Sequence, residues 1–380
     1  MSKIIIDNNA FQTIFNSNIS TDLKDIAKKI LNNERITVNE AVLLYQKAEL
    51  SYLGILANYI RVLKNKSYVY FNHNFHVEPT NVCVYSCSFC SYSRLIKNRE
   101  QGWELSVDDI LTIIKKYDTQ AVTEVHITGG VVPKQDLYFY KELFEKIKQH
   151  RPNLHIKALT PVEFHYIFKK AKVTYEEGLQ ILHNAGLGSL PGGGAEIFDK
   201  TIRDKIAGGK CTSEEWLSIH KIWHKMGLQS NATMLYGHIE TFEHRVDHLN
   251  RLRTLQDETH GFNAFIPLKF RNKDNQMAHV PEVSVIEDLR NYAIARIFLD
   301  NFNHIKAYWA MIGRKTAQLS LNFGADDIDG TIDDTTKIYS MAGSEEQNPK
   351  LTTQQLVDLI KAVGKTPVER DTLYNIVKEY

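Results

Sequence analysis

Apolar residues recur at helical spacing through residues 10 to 68. Leu23, Ile26, Ala27 and Ile30 share one face of a first amphipathic segment, and Val38, Ala41, Leu44 and Ala48 share one face of a second. Thr37, with Glu40 three positions on, supplies the second with a capping box. From about residue 69 the period changes, and short β-like runs alternate with amphipathic helical stretches. Strands are expected at Val69 to Val77, Glu124 to Thr128, His155 to Leu159, Gly188 to Leu190, Ser230 to Leu235, Phe262 to Leu268, Ile305 to Met311 and Leu319 to Phe323. Helices are expected at Val107 to Lys116, Tyr138 to Gln149, Tyr175 to Asn184, Ser213 to Met226, Thr241 to Gln256 and Ser284 to Asp300. Eight strands alternating with helices predict an α/β fold, a parallel (β/α)8 TIM-type barrel. The chain then divides into an N-terminal helical extension (1–68), the barrel (69–344) and a C-terminal helical tail (345–380). In the tail, Thr352 to Val363 and Asp371 to Lys378 are expected as short helices.

Length and charge fit a large enzyme. The 380 residues accommodate a barrel of about 250 residues with extensions. Lys plus Arg number 46 against 45 for Asp plus Glu, a net charge of +1, so no global attraction to nucleic acid or membrane is expected. Met1 to Asn9 holds too short an apolar run for a secretory signal, and no stretch approaches the roughly 18 apolar residues of a membrane span. A cytoplasmic location is the resulting expectation.

Barrel enzymes carry their chemistry at the C-terminal ends of the strands, and polar residues crowd those positions. After the first strand comes Cys83-Val84-Tyr85-Ser86-Cys87-Ser88-Phe89-Cys90, a C-x3-C-x2-C spacing. Three thiolates can hold three irons of a 4Fe-4S cubane and leave the fourth iron open for chemistry. A Cys3His zinc site using His73 or His76 is the competing use, though zinc arms come as C-x2-4-C or H-x3-5-H pairs. A ferredoxin needs a fourth cysteine at matching spacing, and the remaining Cys211 reads as an unpaired thiol near a helix start. Gly129-Gly130 after the second strand permits close backbone approach to a ligand. Gly192-Gly193-Gly194 after the fourth offers backbone N–H groups to a carboxylate or a ribose hydroxyl, with Glu196 as an acceptor beside them. His238 and Glu240, two apart after the fifth strand, are candidates for an acid/base couple. Lys269 and Arg271 follow the sixth strand, and Arg314, after the seventh, offers a fork for a carboxylate. His220 with His224 and His244 with His248 lack the H-E-x-x-H arrangement and are expected on exposed helix faces.

The cysteine spacing, with Phe89 before the last thiol, resembles the radical S-adenosylmethionine (SAM) superfamily. The longer stretches His76 to Cys83, Leu190 to Asp199 and Tyr236 to Thr241 resemble its futalosine-pathway branch, nearest to the aminofutalosine synthase family, over most of the chain from about residue 50. Dehypoxanthine futalosine cyclases and the radical SAM subunit of deazaflavin (FO) synthase share part of these motifs and are the alternatives. The resemblance implies a 4Fe-4S cluster on Cys83, Cys87 and Cys90, SAM as co-substrate contacted by Gly129, Gly130, Gly193, Gly194 and Glu196, and an external one-electron donor such as flavodoxin or ferredoxin. The implied reaction adds the 5'-deoxyadenosyl radical to the enol ether of 3-[(1-carboxyvinyl)oxy]benzoate. Aryl migration and loss of a carboxyl then give 6-amino-6-deoxyfutalosine for menaquinone biosynthesis. A small-molecule substrate with two carboxylates calls for cationic partners, and Lys269, Arg271 and Arg314 are the candidates.

Overall fold

The structure, a computed structural model, describes residues 8–332 and 337–380. Four helices open it, Asn8–Asn16, Thr21–Leu31, Val38–Lys47 and Leu50–Asn65. The apolar face of the second is buried as its spacing requires, and Thr37 and Glu40 cap the third reciprocally. Leu50–Asn65 packs on the helix Val285–Phe298, and Tyr45 Oη donates to Asn291 Oδ1 of that helix at 2.6 Å, so the extension leans on the outer ring of barrel helices.

β1 (Tyr68–Asn72) and β2 (Asn74–Val77) form one extended run broken at His73, followed by the short β3 (Val82–Cys83) and β4 (Arg94–Leu95). β5 (Glu124–Ile127), β6 (His155–Ala158), β7 (Leu187–Ser189), β8 (Ser230–Tyr236), β9 (Phe262–Lys269), β10 (His304–Ile305) and β11 (Asp327–Gly330) complete the barrel. β2, β5, β6 and β7 pair in parallel, as do β8, β9 and β10. Single parallel bridges, Leu190 with Ser230 and Lys306 with Asp327, join the sheets, and β11 pairs with β1 to close the ring. The expected parallel (β/α)8 barrel is thus present.

Three stretches differ from expectation. The seventh strand stops at Ile305 and Trp309–Ile312 is helical; the run is buried throughout, and a uniformly apolar run has no period to separate strand from helix. Leu319 to Phe323 is the end of a helix and a turn, and the eighth strand is Asp327–Gly330, whose polar sequence hides it from a hydropathy pattern. In the tail Thr353–Lys361 is helical as expected, but Asp371 to Lys378 is not: β12 (Thr366–Arg370) and β13 (Ile376–Glu379) form a hairpin, with β12 parallel to β1. Helices at Pro161–Ala171 and Lys200–Ala207 lie outside the expected set.

Layers of side chains fill a barrel lumen, and branched aliphatics dominate them in most such barrels. Here, across β2, β5, β6 and β7, register aligns Asn74, Glu124 and His155 in one layer and His76, His126, Lys157 and Ser189 in the next. Buried groups of this kind need partners: Lys157 Nζ lies 2.6 Å from Glu124 Oε1 and His155 Nε2 2.8 Å from Ser189 Oγ. The outer helices also depart from expectation, because His220, His224 and His248 are buried, not exposed. His220 and His224 both meet Ser230 Oγ at 2.8 Å, and His248 Nε2 meets the Thr233 carbonyl. No helix of the described residues is long and apolar enough to cross a membrane.

Candidate active site

The cysteine loop is stitched to the segment after β5. Val84 N donates to Val131 O at 2.8 Å and Gly130 N to Thr80 O at 2.7 Å. A Cβ on Gly130 would lie 2.2 Å from Val82 O, so the second glycine is what lets the two backbones touch. Cys83, Cys87 and Cys90 are free thiols, the first two buried. The N–H groups of Tyr85 and Val131 donate to Cys83 Sγ at 3.5 and 3.4 Å, the kind of bond that tunes a cluster thiolate. Burial pushes the Cys87 thiol up to about 11 despite the opposing charge of Lys210, and metal coordination displaces such protons. Among the described residues no three Cys, His, Asp or Glu side chains converge as the ligands of a single ion would. Three thiols on one loop that line a single cavity are a donor set that fits a 4Fe-4S cluster with one open iron.

That cavity, ≈250 Å³, runs from the cysteine loop into the barrel. Gly129, Gly130, Gly193, Gly194 and Glu196, all expected from sequence, line it together with the three cysteines. The glycine loop is tied back by its carbonyls: Gly192 O accepts from Thr233 Oγ1, Gly193 O from Trp216 Nε1, and Gly194 O and Ala195 O from the buried Arg203. Gly193 and Gly194 line the cavity on a loop held in this way. Glu196 has φ +49° and holds Lys210 Nζ at 2.7 Å, while Lys210 lies 5.2 Å from the centre of the Phe89 ring. Burial opposes the charge on Lys210, but Cys87 and Glu196 outweigh it and raise its pKa.

Glu163 lines the same cavity from the first turn of Pro161–Ala171, held by a capping box with Thr160. Its Oε2 accepts from Thr160 N at 2.6 Å and Thr128 Oγ1 at 3.2 Å, Oε1 has no partner, and burial raises its pKa to about 7. Deeper in the barrel lie His126, Lys157, Lys306 and Asp329. Lys306 Nζ meets Asp329 Oδ1 at 2.8 Å. Burial works against ionisation of Asp329, yet Lys306 and Lys157 hold its pKa down to about 2.

The remaining expected residues lie outside this lining. Gly237, at φ +86°, turns the chain after β8 and packs His238 Nδ1 3.0 Å from Glu240 Oε2, both side chains fully buried. The carboxylate accepts from Gly237 N, His238 N and Arg245 Nε, so the pair pins a turn and stands outside the lining of this cavity. Lys269 is bound to Asp288 and Val283 O, Arg271 to Glu282 and Met311 O, and Arg314 to Glu346. Each proposed carboxylate partner already holds an internal one. Of the missed residues, Glu163 left a faint signal in its Thr-Pro-x-Glu cap at 160–163, and Lys157 and Lys306 in interrupting runs expected as apolar strands, whereas Lys210, in the turn after Lys200–Ala207, left none.

The Radical SAM superfamily matches residues 77–252, and the CofH/MqnC C-terminal region matches residues 259–379. Aminodeoxyfutalosine synthase of Thermus thermophilus is 43% identical over 93% of this chain and 95% of its own length. Cyclic dehypoxanthine futalosine synthase of Streptomyces coelicolor is 36% identical over 93% of this chain and 88% of its own. Among solved structures, methylornithine synthase (PylB) superposes with a TM-score of 0.72 at 17% identity, covering 90% of this chain and 97% of that one, a likeness of fold.

Proposed function

Because the chain belongs to the radical SAM superfamily, we propose that it catalyses the aminodeoxyfutalosine synthase reaction, joining SAM-derived adenosine to 3-[(1-carboxyvinyl)oxy]benzoate. The 43% identity to such a synthase over nearly the whole chain, against 36% to the cyclase, supports this choice. The observation that carries it is the convergence of Cys83, Cys87 and Cys90 with two glycine loops on one cavity at the C-terminal mouth of the barrel.

When bound there, a 4Fe-4S cluster and SAM supply a 5'-deoxyadenosyl radical, which adds to the enol-ether double bond. The three cysteines are the cluster ligands in this proposal. Gly129 and Gly130 let the backbone approach the methionine part of SAM, and Gly193 and Gly194 present N–H groups to its polar atoms. Glu196, steadied by Lys210, and Glu163, with one oxygen unpartnered, are the acceptors for an ammonium or ribose hydroxyls. Tyr308, Tyr339, Val162 and Leu268 wall the cavity and keep water from the reacting carbon. The partners in this proposal are an external one-electron donor, which would supply the reducing electron, and a small-molecule substrate with carboxylates.

The test is anaerobic incubation of reconstituted protein with dithionite, SAM and 3-[(1-carboxyvinyl)oxy]benzoate, followed by mass spectrometry. A product holding both adenine and the aryl group, short of one carboxyl, is expected. Free 5'-deoxyadenosine alone would refute the substrate assignment and direct the next trial to dehypoxanthine futalosine.

A further inference from the structure

Among the described residues three lysines line the cavity, and they stand at different depths. Lys210 keeps company with Glu196 and Phe89 beside the cysteines. Lys157 and Lys306 belong to the lumen. Lys157 is the register neighbour of His126 on the adjacent strand, and Lys306 is bridged to Asp327. An ammonium has three N–H donors; Lys157 uses one on Glu124 at 2.6 Å, and Lys306 one on Asp329 at 2.8 Å. His126 Nε2, buried among them, has no hydrogen-bond partner. The two ammoniums repel one another, since the charge on Lys306 is among the causes, after burial, that lower the pKa of Lys157. An anion set between them relieves that repulsion. Above this floor stand Tyr308 and Tyr339, ring centres 4.8 Å apart, with Ile266 and Leu268 also on the cavity wall. Flat and apolar surfaces over a cationic floor match one ligand chemistry.

We propose that Lys306, Lys157 and His126 seat an aromatic carboxylate, with its ring along Tyr308, Tyr339 and Leu268. The inference rests on the function proposed above and names the substrate end that enters first, the carboxylate borne by the ring. Cysteines and glycine loops occupy the mouth, so the vinyl carbon must face outward and the ring carboxylate inward. That carboxylate also survives the reaction, whereas the one on the enol ether departs. Glu124 and Asp329 are the acids facing the floor, and they hold both ammoniums in place before a ligand arrives, which lowers the cost of ordering on binding. Lys269, Arg271 and Arg314 have no part in this seat.

The measurement is calorimetric binding of two unreactive ethers to the reconstituted protein in the presence of SAM: 3-(1-carboxyethoxy)benzoate and 2-phenoxypropanoate, which lacks the ring carboxylate. The wild type is expected to prefer the first by about 30-fold or more, as loss of a buried charged contact dictates. In the paired variant Lys306→Gln, Asp329→Asn, which keeps Lys157 and His126 in the seat and exchanges one charged contact for a neutral one, the preference is expected to fall by about fivefold or more. Asn tolerates the φ of +67° at position 329, and neither partner is left as a lone buried charge. Should that variant not take up iron, His126→Phe offers the same comparison without touching a charge, with the benzoate alone expected to bind about fivefold more weakly. A variant that keeps the wild-type preference, or a wild type that shows none, overturns the proposal. A wild type that discriminates but forms no adenine–aryl product would overturn the reaction and uphold the carboxylate seat.

Discussion

Glu163 lines the cavity with one oxygen satisfied by Thr160 N and Thr128 Oγ1 while the other is buried without a hydrogen-bond partner. Burial, ahead of those hydrogen bonds, raises its pKa from 4.5 to about 7. Between those values the folded protein keeps a proton that the unfolded chain has released, so more protons are bound in the folded state and stability falls as pH rises through that window. Glu163→Gln removes the titration and keeps the Oε2 acceptor. Its stability relative to wild type is therefore expected to be higher at pH 8 than at pH 5, by up to about 3 kcal/mol. Urea midpoints at the two pH values check this, and parallel wild-type and variant profiles would assign the titration to another group, such as Glu78. At this scale the sequence was uneven. The cysteine spacing and the glycine pairs announced themselves because such arrangements have few other uses. Lys157 and Lys306 did not, since a lysine inside a strand weakens the hydropathy signal, and its value depends on Glu124 and Asp329, distant in sequence. Lys269, Arg271 and Arg314 were equally charged and equally near strand ends, but distance to Asp288, Glu282 and Glu346 decided their use, and that is a property of the fold.

The segments that position the site are held by close backbone approach. The run Thr80–Val82, leading into the cysteines, lies against Gly129 and Gly130 so tightly that a Cβ on Gly130 would fall 2.2 Å from a carbonyl oxygen. Backbone cannot step aside as a flexible side chain would. Gly130→Ala is thus expected to break the Gly130 N to Thr80 O bond, shift the cysteine loop and lower iron per chain after reconstitution. Gly227→Ala is the control: with φ +80° and nothing within 4 Å of the added Cβ, it should cost roughly 1–3 kcal/mol of strain and leave iron content at the wild-type level. Equal iron in both variants would remove the close approach from the account. Most elements were legible because helices such as Tyr175–Asn184 have capping boxes and regular apolar spacing. β11 was not. In Asp327-Ile328-Asp329-Gly330 the acids are neutralised by Arg370 and Lys306, and the hairpin that brings Arg370 has its second strand in the stretch Asp371 to Lys378, which was expected to be a helix.

That hairpin joins the far end of the chain to the site. β12 lies along β1, Arg370 reaches Asp327 with Nε at 2.7 Å and Nη2 at 2.6 Å, and Thr372 Oγ1 donates to Glu124 Oε2 at 2.8 Å. Glu124 in turn holds Lys157, which lines the cavity. The tail therefore closes the lower end of the barrel with charge, where an aliphatic plug would serve most barrels, and it continues the polar lumen that begins beneath the cysteines. Both partners of Arg370–Asp327 are almost fully buried, and a buried charge that loses its partner is far more costly than a pair that is replaced whole. Arg370→Met is expected to lower stability by about 3–5 kcal/mol, and the paired change Arg370→Gln, Asp327→Asn by distinctly less. Guanidinium denaturation of the three proteins tests this. If the single change cost no more than the paired one, the tail would be an appendage and not part of the barrel, and the chain of contacts from Arg370 to Lys157 would carry no weight.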